Sequence, residues 1–202
     1  MDKNILIVIG RQVGSGGKNI ATLLGSKLNT KVYDKELMAK AAEDSGFSKK
    51  LFEGSDEKRN LFSLAGFLTT GRFGLADNYV GDNELFKIQS EVIQKIADSG
   101  SAIFVGRCSD YILRERKPLS IFITSPMEVR RKNIAEREKL SLEDAEKYIN
   151  KKERERESYY NFFTFGDWGK ASNYDLCIDS SILGDNGTAE YILDFLKKKG
   201  QI

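Results

Sequence analysis

The residue types best suited to chemistry in this 202-residue chain lie in a glycine-rich stretch near the amino terminus. Residues 9–20 read Ile-Gly-Arg-Gln-Val-Gly-Ser-Gly-Gly-Lys-Asn-Ile, between an apolar run and an amphipathic segment. Where glycines link a strand to a helix, backbone N–H groups converge on an anion at the positive end of the helix dipole. The stretch therefore predicts a phosphate-binding loop. Its candidate ligands are Arg11, Gly14, Ser15, Gly16, Gly17, Lys18 and Asn19.

The loop departs from the P-loop motif, in which four residues separate a first glycine from Gly-Lys-Ser/Thr. Gly10 and Gly16 are one residue too far apart, and Gly17 occupies the lysine position. Lys18 comes next, and its long stem makes it the candidate for the donor phosphates. Asn19 stands where a hydroxyl would hold Mg²⁺. No metal ligand is certain, and Asn19, acting through a water, is the candidate.

A dinucleotide-binding fingerprint is the rival interpretation of the same loop. Gly14 and Gly16 are followed by Asp34 at the end of the second apolar run, as that motif requires. However, Asn19 occupies the place of the third glycine. The loop alone therefore predicts phosphate binding and leaves the chemistry open.

The elements that position the loop follow from the apolar pattern. Continuous apolar runs, typical of strands buried on both faces of a parallel sheet, occupy residues 5–9, 31–33, 102–105, 120–123 and 174–178. Helical periodicity appears between them, around residues 20–28, 85–96 and 189–196. Alternating strands and helices imply right-handed βαβ units. We predict one α/β domain over residues 1–202, a three-layer, doubly wound fold with a five-stranded parallel sheet.

Two segments interrupt this rhythm. Residues 61–81 are rich in Leu, Phe and Gly, which favours a flap over the edge of the sheet and leaves a homodimer contact open. Residues 130–157 carry 18 charges in 28 residues. They are either two solvated helices with i,i+4 ion pairs or a lid whose arginines close on phosphates.

Composition excludes several classes of protein. The 32 basic and 30 acidic residues leave a net charge of +2, which argues against binding a nucleic-acid polymer or an anionic membrane. With no histidine and two cysteines, a zinc cluster and a Ser-His-Asp triad are excluded. The apolar run at residues 5–9 is too short to cross a membrane. We expect a cytoplasmic protein, because the two thiols indicate no disulfide framework.

The sequence resembles the cytidylate kinase-like family of P-loop nucleoside-monophosphate kinases. The resembling segments occur in the family's order and extend over nearly the whole chain. The segments are the glycine loop with Arg11, residues 32–37 (Val-Tyr-Asp-Lys-Glu-Leu), residues 105–113 (Val-Gly-Arg-Cys-Ser-Asp-Tyr-Ile-Leu) and residues 173–180. Glu153 and Arg156 stand where the family has an acid and an arginine at its lid. Two departures concern Mg²⁺: Asn19, and Val105 where many members carry an acid.

The resemblance implies an ATP- and Mg²⁺-dependent transfer of phosphate to a nucleoside monophosphate, CMP or dCMP, or to a related small acceptor. It assigns catalysis to Lys18, Arg154 and Arg156. It assigns acceptor binding to Asp34, Lys35, Arg107 and Asp110. It also implies an acceptor-side flap at about residues 46–84 and a lid at about 137–170. The alternative is a non-catalytic nucleotide-binding protein with a degenerate loop, which the two departures favour.

Overall fold

A computed structural model of the chain describes residues 4–34 and 79–202. The strands in these ranges are β1 (Leu6–Arg11), β2 (Lys31–Tyr33), β3 (Ala102–Val105), β4 (Leu119–Thr124) and β5 (Leu176–Asp179). The helices are α1 (Gly17–Leu28), α2 (Tyr79–Ser99), the single turn α3 (Ser109–Ile112), α4 (Met127–Glu138), α5 (Leu142–Thr164) and α6 (Ser180–Lys198). Each strand overlaps one of the five apolar runs.

The strands form one parallel sheet in the order β2-β3-β1-β4-β5. Strand β1 is central, with Ile9 opposite Val105 of β3 and opposite Ile121 of β4. The predicted doubly wound parallel sheet is therefore confirmed. Because all strands run the same way, the segments that follow them gather at one edge of the sheet.

The two faces of the sheet bury different side chains, which explains the unbroken apolar runs. Ile7 and Ile9 pack with α1 and α6 in a cluster that includes Ile20 and Ile192. Val8, between them in sequence, points to the other face and belongs to the cluster of α2 and α3. Neighbouring residues of a strand point to opposite faces, so a strand covered on both sides must be apolar throughout.

Helices α4 and α5 form a hairpin beside the glycine loop, and they are the two charged helices that the sequence predicts. Their inner faces bury Ile134, Ala145 and Ile149 against Val13 of the loop. An i,i+4 ion pair joins Lys147 to Glu143 on the solvent side. The hairpin runs from residue 127 to 164, so the predicted lid boundary at residue 137 falls within the last turn of α4.

Some predictions fall outside the described residues. Lys35 and most of the acceptor-side flap, residues 46–78, are among them. The last flap residues, 79–84, form the start of α2. Across residues 4–34 and 79–202, the helices include none with the length and apolar character needed to cross a membrane.

Candidate functional site

Charged residues from three parallel strands meet at the carboxyl edge of the sheet. Arg11 is the last residue of β1, Asp34 follows β2, and Arg107 follows β3 by two positions. The glycine loop, residues 12–16, leads from Arg11 into α1 at the same edge. In open α/β sheets this crevice is where ligands bind.

The glycine loop turns its carbonyl groups into the protein. Ser180 Oγ donates to the carbonyl of Ser15 at 2.7 Å, and Asn133 Nδ2 donates to that of Gly14 at 2.8 Å. Ser15 Oγ donates to the carbonyls of Gln12 and Ile123. Gly14 and Gly16 have left-handed φ values of +83° and +76°. Such alternation orients successive N–H groups toward the inside of the turn, as an anion requires.

The hairpin holds the loop through one ion pair. Glu153 Oε1 accepts a hydrogen bond from the Val13 N–H at 2.9 Å and from Arg130 Nη1 at 2.7 Å. Arg130, only 5% exposed, also donates from Nε to the Ser125 carbonyl at 2.8 Å. The buried guanidinium and the half-buried carboxylate therefore fix the loop and the hairpin relative to each other.

Three arginines converge on the crevice. Arg156 Nη1 donates to the main-chain carbonyl of Arg11 at 2.9 Å. Burial, together with repulsion from Arg156 and Arg107, holds the pKa of Arg11 well below its ordinary value. Burial likewise lowers the pKa of Arg156 to about 10, although the attraction of Glu153 opposes the shift. Like charges brought this close out of water favour binding of a polyanion that neutralises them.

Arg107 is carried by a strained turn. Gly106, Arg107 and Cys108 all have left-handed backbone conformations, with φ values of +73°, +63° and +55°. Gln89 Nε2 donates to the Arg107 carbonyl at 3.0 Å and to the Tyr159 hydroxyl at 3.2 Å. Burial lowers the pKa of Arg107, although Tyr159 opposes the shift. A non-glycine residue in this conformation costs about 1–3 kcal/mol and is typical of binding sites.

Lys18 is directed toward the end of β2. Its Nζ lies 2.7 Å from Oδ2 of Asp34, and its side chain is 63% exposed while that of Asp34 is 14% exposed. The attraction of Asp34 also raises the pKa of Arg11, against the larger lowering by burial, so Asp34 faces both cations. The structure thus brings Lys18, Asp34, Arg11, Arg107 and Arg156 to one crevice.

Two predicted site residues lie apart from the crevice. Arg154 is exposed on α5, on a different face of the helix from Glu153 and Arg156. Asp110 accepts a hydrogen bond from the Tyr160 hydroxyl at 2.7 Å and lines a groove of about 360 Å³ with Lys117. This groove includes Ser120, near the amino end of β4, whereas the arginines lie at the carboxyl ends of the strands. The catalytic role of Arg154 and the acceptor role of Asp110 stay predictions.

Asn19 is paired with a carboxylate from the far end of the chain. Its Nδ2 donates to Oδ2 of Asp185 at 3.0 Å, and a Cβ on Gly16 would overlap Oδ1 of the same carboxylate. Among the described residues there is no group of three or more Cys, Asp or Glu side chains that could hold a metal ion.

Sequence reasoning missed Arg130, Asn133, Gln89 and Asp185. Each acts through contacts between residues at least 18 positions apart, so local spacing carries no signal for them. Arg130 had one available signal. It lies four residues before Ile134, so helical periodicity places the two side chains on the same buried face of α4.

This fold and this site together define the class. A parallel sheet whose central strand passes through a glycine loop into a helix, with arginines at the carboxyl edge, is the architecture of P-loop kinases. The chain belongs to the cytidylate kinase-like family, which matches residues 6–182. The predicted family resemblance is therefore confirmed, and the chain is a member of a kinase family.

Curated relatives agree with this assignment at low identity. The cytidylate kinase of Sulfolobus acidocaldarius is 26% identical over 194 residues, covering 96% of this chain and 94% of the relative. That of Pyrobaculum calidifontis is 28% identical over 115 residues, or 57% of this chain, and the match spans only 62% of the relative's length.

Solved structures share the fold. An uncharacterized protein from Eubacterium ventriosum superposes with a TM-score of 0.70 at 25% identity, covering 96% of this chain and 98% of its own. Shikimate kinase from Bacteroides thetaiotaomicron gives a TM-score of 0.55 at 10% identity, covering 99% of this chain and all of its own. At that identity, the second likeness concerns the fold alone.

Proposed function

We propose that the protein transfers the terminal phosphate of ATP to a nucleoside monophosphate, with CMP or dCMP as the preferred acceptor and Mg²⁺ bound with the nucleotide. We also propose the cytoplasm as its location. The observation that carries the proposal is the convergence of Arg11, Arg107 and Arg156 beside the glycine loop. Three half-buried cations at one crevice match a reaction between two phosphorylated substrates.

The site divides into a donor side and an acceptor side. The glycine loop, with its N–H groups turned inward at the start of α1, binds the donor phosphates. Arg107, on the neighbouring strand β3, binds the acceptor's phosphate, because a planar guanidinium contacts two phosphate oxygens at once. Asp34 and Lys18 lie where β2 ends, on the acceptor side of Arg11.

Phosphoryl transfer requires alignment and neutralisation of charge more than covalent help from the protein. Arg156 reaches the site from the hairpin, where it neutralises charge that spreads over the transferring group. The tie between Glu153 and Val13 keeps the loop in its binding conformation. Mg²⁺, when bound with ATP, adds further neutralisation at the phosphates. A chain without histidine can support this chemistry, since no general base of imidazole type is needed.

A nucleotide panel tests the proposal. Purified protein is incubated with MgATP and CMP, dCMP, UMP, AMP or GMP, and ADP release is followed in a coupled assay. Turnover that is highest with CMP or dCMP, and that falls in Arg107→Lys, supports the proposal. Turnover with none of the five, in protein that binds ATP, would instead support the alternative of a nucleotide-binding protein without catalysis, which Asn19 and Val105 favour.

A further inference from the structure

We propose that Arg11, and not Lys18, contacts the terminal phosphates of ATP in this protein, which is the role of the lysine in the P-loop motif. The cation of the loop then comes from the end of β1 instead of the start of α1. The inference deepens the proposed function and rests on it. It also assigns a reason to Gly17, the residue that breaks the motif.

Counted from Arg11, the spacing of the loop matches the P-loop motif, with the glycine and the basic residue of the motif exchanged between its first and seventh positions. Four residues separate Arg11 from Gly16, which is the spacing of the P-loop, so Arg11 stands at the first glycine position. Gly17 then stands at the lysine position. Relative to the motif, the chain has gained a cation at the first position and lost one at the seventh.

The two exchanged positions touch in space. A Cβ on Gly17 would lie 2.7 Å from Cβ and 3.0 Å from Cγ of Arg11. Gly17 is the first residue of α1, and only glycines 14 and 16 of this loop have positive φ. Its backbone conformation would therefore accept any residue. Space, rather than conformation, requires glycine here, because the Arg11 side chain fills the place where a side chain at position 17 would begin.

The guanidinium of Arg11 reaches into the crevice. A Cβ on Gly106 would overlap Arg11 Nη1, so the side chain runs from the start of α1 to the turn after β3. Arg107 and Arg156 lie close enough to lower its pKa beyond the effect of burial. Arg11 thus lies between the donor side and the acceptor side, where a transferred phosphate passes.

Lys18 occupies a different place. On a helix, one residue of displacement turns a side chain by about 100°. Its Nζ contacts Asp34 at 2.7 Å at the end of β2, and 63% of its side chain is exposed. Asp34 therefore offers Lys18 a partner on the acceptor side, away from the position that Arg11 fills.

The test compares Arg11→Met with Lys18→Met, which remove one charge each and keep an unbranched stem. Binding of ATP and AMP is measured by isothermal titration calorimetry with Mg²⁺. We expect Arg11→Met to weaken ATP binding by about ten- to a hundredfold, as for loss of a charged hydrogen bond. Arg11→Met should change the affinity for AMP, which lacks the terminal phosphates, by less than threefold. Lys18→Met should change the affinity for ATP by less than threefold. Circular dichroism and thermal unfolding confirm that both variants are folded.

Two further variants test the exchange itself. Arg11→Lys should recover most of the lost ATP affinity, because it restores a cation on the same strand. The double variant Arg11→Gly/Gly17→Lys should bind ATP more tightly than Arg11→Gly alone, because the space next to position 17 is open once the Arg11 side chain is removed. Failure of both rescues would show that Arg11 acts in another way.

The results separate the inference from the proposed function. The inference is overturned if Lys18→Met loses as much ATP affinity as Arg11→Met, or more. It is also overturned if Arg11→Met loses ATP affinity and AMP affinity equally. If ATP binding depends on Arg11 but no monophosphate is phosphorylated, the proposed function fails and the inference stands. If CMP is phosphorylated equally well by Arg11→Met, the function stands and the inference fails. Wild-type protein that binds no ATP would overturn both.

Discussion

Glu153 of helix α5 accepts the backbone N–H of Val13 in the glycine loop at 2.9 Å, across 140 positions of sequence. The same oxygen accepts from Arg130 Nη1 at 2.7 Å. One carboxylate therefore joins the hairpin to the loop. The hairpin that the sequence suggests as a lid also supports the glycine loop in this structure.

Replacing Glu153 by Gln should destabilise the protein and weaken ATP binding. The amide oxygen can still accept the Val13 N–H, but the buried Arg130 loses its counter-charge. Breaking a fully buried pair costs about 3 kcal/mol, so for this partly buried pair we expect the unfolding midpoint to fall by up to roughly 6–12 °C in a chain of this size. Differential scanning calorimetry measures the shift. Glu157→Gln, at an exposed position of the same helix, is the control. Equal midpoints for the two variants would contradict the prediction.

Arg156 and Arg154 should differ sharply in their effect on turnover. Arg156 contacts the Arg11 carbonyl in the crevice, whereas Arg154 is exposed. We expect Arg156→Met to lower kcat by at least about a hundredfold, since it removes a donor aimed at developing charge. Arg154→Met should stay within threefold of wild type in the same coupled assay. A comparable loss in both would support the prediction from sequence, in which the hairpin brings both arginines onto the phosphates.

Arg107→Lys should weaken CMP binding more than ATP binding. A lysine retains the charge but cannot contact two phosphate oxygens in one plane, and a loss of about tenfold is expected for the acceptor. Titration calorimetry with each nucleotide measures the difference. Arg114→Lys, whose arginine donates to the Tyr111 carbonyl outside the crevice, is the control. Equal losses for CMP and ATP would remove Arg107 from the acceptor side.

The pattern of the sequence was sufficient to predict the sheet and the glycine-rich turn that leads from β1 into α1. The strands are covered on both faces, so their apolar runs are unbroken and stand out from the charged segments around them. The four glycines in residues 10–17 mark the strand-to-helix turn for the same local reason, since tight backbone turns need them. These features depend on neighbours in sequence, which a single chain displays directly.

The division of roles among the cations could not be predicted in the same way. Lys18 is the lysine nearest to the motif's lysine position, one residue beyond it, but the direction of its side chain depends on Asp34, which β2 brings near. Arg11 precedes the loop and gains its place only because β1 ends beside Gly106 of the adjacent strand. Arg154 and Arg156 are alike in sequence, and only packing of α5 against the loop distinguishes them.

Asp110→Asn should stabilise the protein at neutral pH and not at acidic pH. Burial raises the pKa of Asp110 above its ordinary value, although the hydrogen bond from Tyr160 opposes the shift. A carboxyl whose pKa is higher in the folded state makes its full contribution below the unfolded pKa, and this contribution is lost as pH rises through the folded pKa. At pH 7 the buried charge therefore costs stability, which an amide avoids while still accepting from the Tyr160 hydroxyl.

The measurement is the unfolding midpoint of Asp110→Asn and wild type at several pH values. We expect the variant to gain of the order of 2 °C at pH 7 and the gain to shrink as the pH approaches the ordinary pKa of an aspartate, about 3.9. Asp98→Asn, which removes a carboxylate paired with Arg116 on the surface, is the control and should lose stability slightly or not at all. If Asp110→Asn is less stable than wild type at pH 7 but not at pH 4, the charged carboxylate of Asp110 stabilises the folded protein, and the prediction is wrong.

Asp185 should make ATP binding depend on Mg²⁺. Its carboxylate receives the Asn19 amide at 3.0 Å and lies against Gly16, at the start of α1 where the donor phosphates are proposed to bind. A negative charge there repels the phosphates of free ATP, and Mg²⁺ bound to those phosphates reduces the repulsion. Asp185→Asn should therefore tighten binding of free ATP severalfold and change binding of MgATP less. Titrations with excess EDTA and with excess Mg²⁺ measure the two affinities.

Asp194→Asn, on the same helix and paired with Lys198, is the control and should change neither affinity. If Asp185→Asn instead weakens MgATP binding and leaves free ATP unchanged, the carboxylate serves to hold the metal through water, and the repulsive role assigned to it is wrong.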